Sequence, residues 1–264
     1  MFKLSNVCKT FNPGTVNEKV ALDNVSLTLE NGDFVTVIGG NGAGKSTLLN
    51  AAAGTWFVDS GNIFIDGNEV SKLPEHKRAK FIGRVFQDPM MGTAPNMQLQ
   101  ENLALAMRRG KPRTLRSGIT ASERELYKEM LGILDLGLEN RLTEKVGLFS
   151  GGQRQALTLL MATLQKPNLL LLDEHTAALD PKTAAKVLDS TKKIIEKDSL
   201  TTLMITHNMR DAINYGNRLI MLFEGKIVVD ISGEQKKKLK VENLLEMFEN
   251  ASGSGIASDR MLLG

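Results

Sequence analysis

Phe34-Val35-Thr36-Val37-Ile38 is an apolar, largely β-branched run that ends in Gly39-Gly40-Asn41-Gly42-Ala43-Gly44-Lys45-Ser46-Thr47. Leu48-Leu49-Asn50-Ala51-Ala52-Ala53 then reads as helix, with Gly54 placed to end it. Gly39 to Ser46 has the spacing G-x-x-x-x-G-K-[ST] of a phosphate-binding loop. Glycines let backbone N–H groups approach phosphate oxygens closely, and a helix beginning here aims its positive dipole end at the same point. Lys45 is expected to reach the β- and γ-phosphates and the Ser46 hydroxyl to hold Mg²⁺. The plainer alternative is a flexible Gly-rich turn beside a lysine. The strand before and the helix after argue against it.

This loop specifies a nucleoside triphosphate and leaves its purpose open. Composition narrows that purpose. The chain has 264 residues, 42% hydrophobic and 24% charged, an ordinary globular mixture. Net charge is only +3 and aromatics are 5%, without the dense basic face of a nucleic-acid binder. Cys8 is the single cysteine, so a disulfide within the chain and a multi-cysteine zinc site are both excluded. The N-terminal residues lack the apolar core of a signal peptide, and no window approaches a membrane span. The expectation is a soluble protein whose membrane role, if it has one, comes through a partner.

Along the chain, Phe2, Leu4 and Val7, then Val20, Leu22, Val25, Leu27 and Leu29, alternate as strands do. With Ile63-Phe64-Ile65 they predict a small, largely antiparallel sheet beside the P-loop core. Residues 90–150 change to helical spacing and form a candidate insertion. There Thr120-Ala121-Ser122-Glu123 reads as a capping box. Leu126, Met130, Ile133 and Leu134 follow as one apolar stripe, with Gly137 ending the helix. Arg108 to Arg116 is basic and broken by Gly and Pro. It reads as a solvated loop, with contact to lipid headgroups or an acidic partner as the minority reading.

Ser150-Gly151-Gly152-Gln153 opens another helix, with Ser150 or a neighbour as cap. Leu169 to Leu172 reads as a buried strand ending in Asp173-Glu174. Asp180-Pro181 starts a helix with a cap and a first-turn proline. Thr201 to Thr206 is a strand ending at His207, and a hairpin closes across Glu224-Gly225. Val241, Leu244, Leu245 and Phe248 mark a short amphipathic helix, and 251–264 reads as a frayed tail.

Strands alternating with helices imply a mostly parallel sheet covered on both faces, with ligands at the carboxyl ends of its strands. Gly39, Gln87, Asp173 and His207 all fall at or just after such ends. Asp173 there is placed to hold Mg²⁺, and Glu174 to polarise an attacking water. A surface acid pair is the alternative, and the P-loop weighs against it.

At this point the chain resembles the nucleotide-binding subunit of an ATP-binding cassette (ABC) transporter, over about residues 1–232. The motifs stand in that family's order: the P-loop, Gln87 (Q-loop), Phe149-Ser150-Gly151-Gly152-Gln153 (signature), Asp173-Glu174, Ala178-Leu179-Asp180 (D-loop) and His207 (switch). The resemblance implies an α/β fold, a P-loop NTPase core with an antiparallel β subdomain and a helical insertion. It places the core at 1–88 and 151–232, the helical signature subdomain at 89–150, and a C-terminal helix and tail at 233–264.

The resemblance also implies a head-to-tail dimer with two ATP molecules. Each lies on one P-loop (Gly39, Asn41, Gly42, Ala43, Gly44, Lys45, Ser46, Thr47) and against Ser150, Gly151, Gly152 and Gln153 of the partner copy. Phe11 is the adenine-stacking candidate. Gln87 senses Mg²⁺ and water, His207 holds the γ-phosphate and orders Glu174, Asp180 couples the two sites, and Ser46, Gln87 and Asp173 serve the metal. Phe149 stands where the family usually has Leu and keeps the position apolar. His175 follows the catalytic acid where the family commonly has a small residue or Pro.

The implied partners are a second copy, a membrane permease and a solute-binding protein, with no nucleic acid, and the implied place is the inner face of the cell membrane. Met90, Met91, Pro95 and Met97 are candidates to line the permease groove, or simply to fill core gaps. Asp173 to Pro181 is similar to bacterial importer ATPases associated with aromatic amino-acid uptake. The alternatives are an exporter or lipid-extraction ATPase, a soluble non-transport ABC protein, and a P-loop GTPase switch. The last lacks its guanine-reading Asn-Lys-x-Asp.

Overall fold

The computed structural model describes residues 1–111 and 118–252. Three strands open the chain, β1 (Phe2–Phe11), β2 (Lys19–Leu29) and β3 (Phe34–Ile38), before helix α1 (Lys45–Ala53). Next come β4 (Ser60–Ile65), β5 (Asn68–Glu69), α2 (Glu75–Arg78), β6 (Ile82–Val85), α3 (Leu99–Met107) and α4 (Ala121–Gly132). Then follow α5 (Gly151–Thr163), β7 (Leu169–Asp173), α6 (Pro181–Asp198), β8 (Thr202–Ile205) and α7 (Met209–Asn214). The chain ends with β9 (Arg218–Phe223), β10 (Lys226–Ser232), α8 (Gly233–Lys237) and α9 (Val241–Ser252). These elements form two units, Met1–Arg78 with the chain from Ser199 onward, and Ala79–Asp198.

The first unit holds two sheet systems. β2, β1, β4 and β5 form an antiparallel sheet in that order, as the period-2 runs predict. The inward residues Phe2, Leu4, Val7, Leu22, Val25, Leu27 and Leu29 are all buried. In the second system β3 lies parallel to both β8 and β9, and β9 turns back antiparallel into β10. All five residues of β3 are buried, which suits a central parallel strand covered on both faces. The β9–β10 turn has Glu224 at φ 45° and Gly225 at φ 77°, the left-handed pair that matches strand twist in a tight hairpin.

Helix α9 is amphipathic as its spacing predicts. Leu244 is fully buried against Ile38, Met209, Ala212, Leu219 and Met221, and Phe248 packs edge-on to Phe223. Of the expected tail at 251–264, the first two residues still belong to α9, and 253–264 lie outside the described residues.

The second unit is built on β6 and β7, parallel and in register from Ile82↔Leu169 to Val85↔Leu172, with α3, α4, α5 and α6. Thr120 caps α4 in a reciprocal box with Glu123, and Ser150 caps α5 in the same way with Gln153. Each cap contributes about 1 kcal/mol. The Asp180 carboxylate accepts the Thr183 N–H at 3.1 Å, so Pro181 begins α6 as expected.

Three expectations need correction. The buried stripe of α4 is Tyr127 and Leu131, continued by Leu134, while Leu126 is half-buried and Ile133 is exposed. The two stripes overlap at the same helical spacing, and packing selects the one carrying the aromatic ring. Helix α4 ends at Gly132, and Gly137 instead precedes a short 3₁₀ turn at Leu138–Asn140. The head of the basic stretch is not a free loop. Arg108 follows α3 and donates to the Ala104 carbonyl and to Glu123, each at 2.9 Å. Arg109 donates to the Ala162 carbonyl at 3.0 Å, and burial lowers its pKa. Residues 112–116 of that stretch lie outside the described residues.

Candidate functional site

In the first unit, the ends of β3 and β8 lie side by side, because Val37 pairs with Ile205 and the Thr206 N–H reaches the Val37 carbonyl at 3.2 Å. Gly39 and His207 therefore leave the sheet at the same edge. The loop between β3 and α1 depends on glycine at two places. A Cβ on Gly39 would sit 2.3 Å from the Leu222 carbonyl oxygen, and one on Gly44, at φ 105°, would sit 2.4 Å from that of Ala21. Both glycines let the loop close tightly over the sheet.

Lys45 is 5% exposed, and its ammonium donates to the Gly39 carbonyl at 2.7 Å and the Gly40 carbonyl at 3.2 Å. The cation thus sits inside the ring of loop backbone, at the end of α1 where the helix dipole is positive. This arrangement suits a polyphosphate. Ser46 is exposed on the first turn of the same helix.

The other end of α1 is held by a residue that sequence reasoning missed. Arg78 is 1% exposed and donates to the carbonyls of Ala51 (2.6 Å), Ala52 (2.9 Å), Ser71 (3.0 Å) and Leu73 (2.8 Å). It places a cation on the helix's negative end. Burial lowers its pKa to about 10, which leaves it charged at neutral pH. Nothing in the local sequence around Arg78 signals this long-range cap.

Phe11, at the end of β1, pairs with Lys19 on β2. Lys19 Nζ reaches to 2.7 Å from the place a Gly42 Cβ would take, so the end of the β1–β2 pair that carries Phe11 lies within a lysine side chain's reach of the phosphate loop. Asn208, just after His207, caps α7 by accepting the N–H groups of Arg210 at 2.9 Å and Asp211 at 3.2 Å. That cap fixes the backbone on which the exposed His207 stands.

In the second unit, β6 and β7 likewise bring Gln87 and Asp173 to one edge. Arg84 connects the pieces. Its guanidinium lies 3.7 Å from the Asp173 carboxylate and 4.5 Å from the Phe86 ring centroid. Gln155 of α5, fully buried, donates to the Phe86 carbonyl at 2.9 Å. The signature helix thereby grips the strand end that carries Gln87.

Glu174 adopts φ 46°, uncommon for a non-glycine residue, and its carbonyl accepts the Ala177 N–H at 2.9 Å. Backbone strain of this kind is concentrated at functional sites. The next residue, His175, is 2% exposed, with Nε2 3.1 Å from Thr191 Oγ1 on α6. That hydroxyl donates to the Val187 carbonyl at 2.8 Å, so His175 is the donor to it. His175 thus anchors the turn that carries Glu174 to α6.

Burial lowers the His175 pKa from 6.5 to about 4, so the folded state holds it neutral. Between those values the unfolded chain binds the proton and the folded chain does not. The stabilisation is full above 6.5 and is lost as pH falls toward 4, amounting to about 3 kcal/mol. Urea unfolding at pH 7 and pH 5 should show about 2 kcal/mol of this loss, the part that falls between 6.5 and 5, and His175→Gln should remove most of the difference. An equal pH slope in both proteins would count against the assignment.

The D-loop and signature pack together within this unit. A Cβ on Gly151 would be 3.5 Å from Leu179 Cδ2, and one on Gly152 would be 2.0 Å from Thr183 Cγ2. A pocket of about 340 Å³ opens beside the α5 start, lined by Ser150, Gly152 and Gln153 and by Lys182, Thr183 and Lys186 of α6. Backbone donors and two ammonium groups make it an anion-favouring surface. Phe149 is 2% exposed, keeps the apolar role expected of it, and carries the Arg141 guanidinium 4.6 Å over its ring. The Asp173 carboxylate in this unit and the Ser46 hydroxyl in the first are each hard oxygen donors, the ligand chemistry that Mg²⁺ takes.

The ABC transporter family model matches residues 22–177. The chain is 45% identical over 251 residues to a tyrosine transport ATP-binding protein of Clostridioides difficile, covering 95% of this chain and 100% of that one. It is 32% identical to the phosphonates import ATP-binding protein PhnC of Lactococcus lactis, covering 90% and 96% of the two chains. Against the spermidine/putrescine import ATP-binding protein PotA of Aggregatibacter actinomycetemcomitans, identity is also 32%, but only 57% of that protein is spanned.

Among solved structures, the dimeric post-hydrolysis state of the cassette MJ0796 bound to ADP and Pi matches with a TM-score of 0.74 at 33% identity, over 88% of this chain and 98% of that one. The ADP conformation of the cassette MJ1267 matches with a TM-score of 0.76 at 26% identity, over 94% and 98%. The chain belongs to the ABC transporter family. It is an ATP-binding cassette, an α/β P-loop ATPase. Among the described residues, no helix is long and apolar enough to cross a membrane.

Proposed function

We propose that this chain powers a bacterial importer of a small solute, an amino acid of the aromatic type, working as a head-to-tail dimer on the cytoplasmic face of a membrane permease. Its full-length similarity to the tyrosine transport protein supports this reading most. In it, 1–88 and 151–232 form the ATPase core, 89–150 the helical signature subdomain, and 233–264 the C-terminal helix and tail. A solute-binding protein delivers the amino acid outside the cell.

The catalytic assignment follows the motif chemistry. The P-loop (Gly39, Asn41, Gly42, Ala43, Gly44, Lys45, Ser46, Thr47) cradles the phosphates, and Phe11 stacks on the base. Ser150, Gly151, Gly152 and Gln153 of the partner copy offer helix N–H groups to the γ-phosphate, and the closed dimer excludes water. Glu174 takes a proton from the attacking water as the bond between the γ-phosphorus and the bridging oxygen breaks. His207 holds the γ-phosphate. Asp173, Ser46 and Gln87 would hold Mg²⁺, which would supply charge neutralisation at the phosphates.

The permease surface is read from exposure. Met90 is 42% and Met91 68% exposed, so neither fills the core. Pro95 accepts the Gly147 N–H at 2.9 Å, Met97 accepts the Val146 N–H at 3.1 Å, and the next residue, Leu148, is 72% exposed. Leu148 is thereby added to the candidate surface. Cells lacking this chain should lose uptake of labelled tyrosine, and the wild-type gene should restore it. A Met90→Asp, Met97→Asp variant should bind ATP normally, fail to co-purify with the permease and restore nothing. Intact uptake in the deletion strain would refute the substrate reading, and normal co-purification of the variant would refute the surface.

A further inference from the structure

We propose that Trp56 is a positioning residue for nucleotide binding: its indole fixes the plane of the Phe11 ring, so that the ring meets a purine base already oriented. The inference rests on the reading of Phe11 as the base platform.

The two rings meet edge to face, with centroids 4.9 Å apart and planes at 80°. This is the favoured geometry for an aromatic pair. Trp56 follows directly on Gly54-Thr55, where the Thr55 N–H reaches back to the Asn50 carbonyl at 3.0 Å and so ties the segment to the end of α1. Its position is therefore referenced to the same helix whose first residue is Lys45.

The backbone leading to Phe11 is clamped from the same segment. The Asp59 N–H donates to the Cys8 carbonyl at 2.9 Å, and the Asp59 carboxylate accepts the Thr10 N–H at 2.6 Å and Lys9 Nζ at 2.7 Å. Lys9 Nζ in turn stands 5.6 Å from the Phe11 centroid, near the outer limit of a cation–π contact. Residues 55–59 thus hold both the strand end and the ring that projects from it.

An unheld phenylalanine at a strand end rotates about χ1 and loses that freedom when a base stacks on it. Trp56 removes the loss in advance, which is preorganisation. The Phe11–Lys19 pairing and the reach of Lys19 Nζ to Gly42 bring this end of the sheet within a lysine side chain's length of the phosphate loop, a span that a base joined to bound phosphates can cover.

Trp56 is the single tryptophan of the chain, so its emission reports the contact directly. ADP and inorganic pyrophosphate are the probes, titrated by calorimetry and by fluorescence. Phe11→Ala should weaken ADP about ten-fold. Trp56→Ala should weaken ADP about three- to ten-fold, with pyrophosphate changed by less than about two-fold, within the error of a lost remote contact. Trp56→Phe should recover most of the ADP affinity, and the double alanine variant should be no weaker than Phe11→Ala alone.

In the wild type, ADP should change the Trp56 emission and pyrophosphate should not. This measurement stands even if Trp56→Ala fails to fold. Unchanged ADP affinity in Phe11→Ala would remove the platform reading and this inference with it. A loss in Phe11→Ala without one in Trp56→Ala, an equal loss for ADP and pyrophosphate, or additive losses in the double variant would each overturn the positioning role alone.

Discussion

Glu174→Gln should hydrolyse ATP about 10²- to 10⁴-fold more slowly than the wild type, the usual contribution of a positioned general base, while binding ATP with near-normal affinity. The amide keeps the shape and the hydrogen-bonding reach of the carboxylate but does not accept the water's proton. The turn that carries residue 174 should survive the change. It is held through backbone, by the Ala177 N–H on the Glu174 carbonyl, and by the neighbouring His175 buried against Thr191.

With binding retained and chemistry blocked, the variant should accumulate as an ATP-bound dimer. Gel filtration with ATP should show twice the monomer mass, and with ADP the monomer. Phosphate release in a single-turnover experiment separates chemistry from product release. Wild-type turnover in Glu174→Gln would mean that another group takes the proton, and the assignment would fail.

The positions that could be read from sequence share a physical property: their signal is local. The P-loop, the Ser150 and Thr120 caps, the Asp180-Pro181 helix start and the Glu224-Gly225 turn each depend on residues within a few positions of one another. Each is found in the structure as expected. The β1–β2 pairing was legible for a related reason, since period-2 alternation carries its own facing.

What stayed hidden depends on partners far along the chain. Arg78 caps a helix that ends some two dozen positions earlier, and its sequence neighbours give no hint of this. Arg84 has no meaning without Asp173, and Trp56 none without Phe11. His175 is a polar residue whose burial is explained only by Thr191. The misplaced stripe on α4 belongs to the same class. Two overlapping stripes fit the helical period, and the facing element, not the helix, decides between Leu126 and Tyr127.

Lys45→Ala should weaken ATP binding on the order of a hundred-fold or more, equivalent to about 3 kcal/mol. Two effects add. The phosphates lose a cation that is 5% exposed and therefore little screened by solvent. The loop also loses its internal brace, because Lys45 Nζ is the donor to the Gly39 and Gly40 carbonyls. The Gly40 carbonyl keeps the Ala43 N–H at 3.1 Å, but the Gly39 carbonyl loses its lysine donor; such a loss costs about 1–3 kcal/mol, so the empty protein should also melt at lower temperature.

Lys45→Met separates the loss of the ammonium from the loss of packing. It keeps the buried aliphatic volume and removes the charge, and it should bind ATP as poorly as the alanine variant while losing less stability. Calorimetric titration with ATP and thermal melting of each variant give both quantities. ATP affinity within a few-fold of wild type in Lys45→Met would mean that the loop amides and the helix dipole hold the phosphates alone. Lys45 would then be a structural brace with no direct part in the ligand's binding.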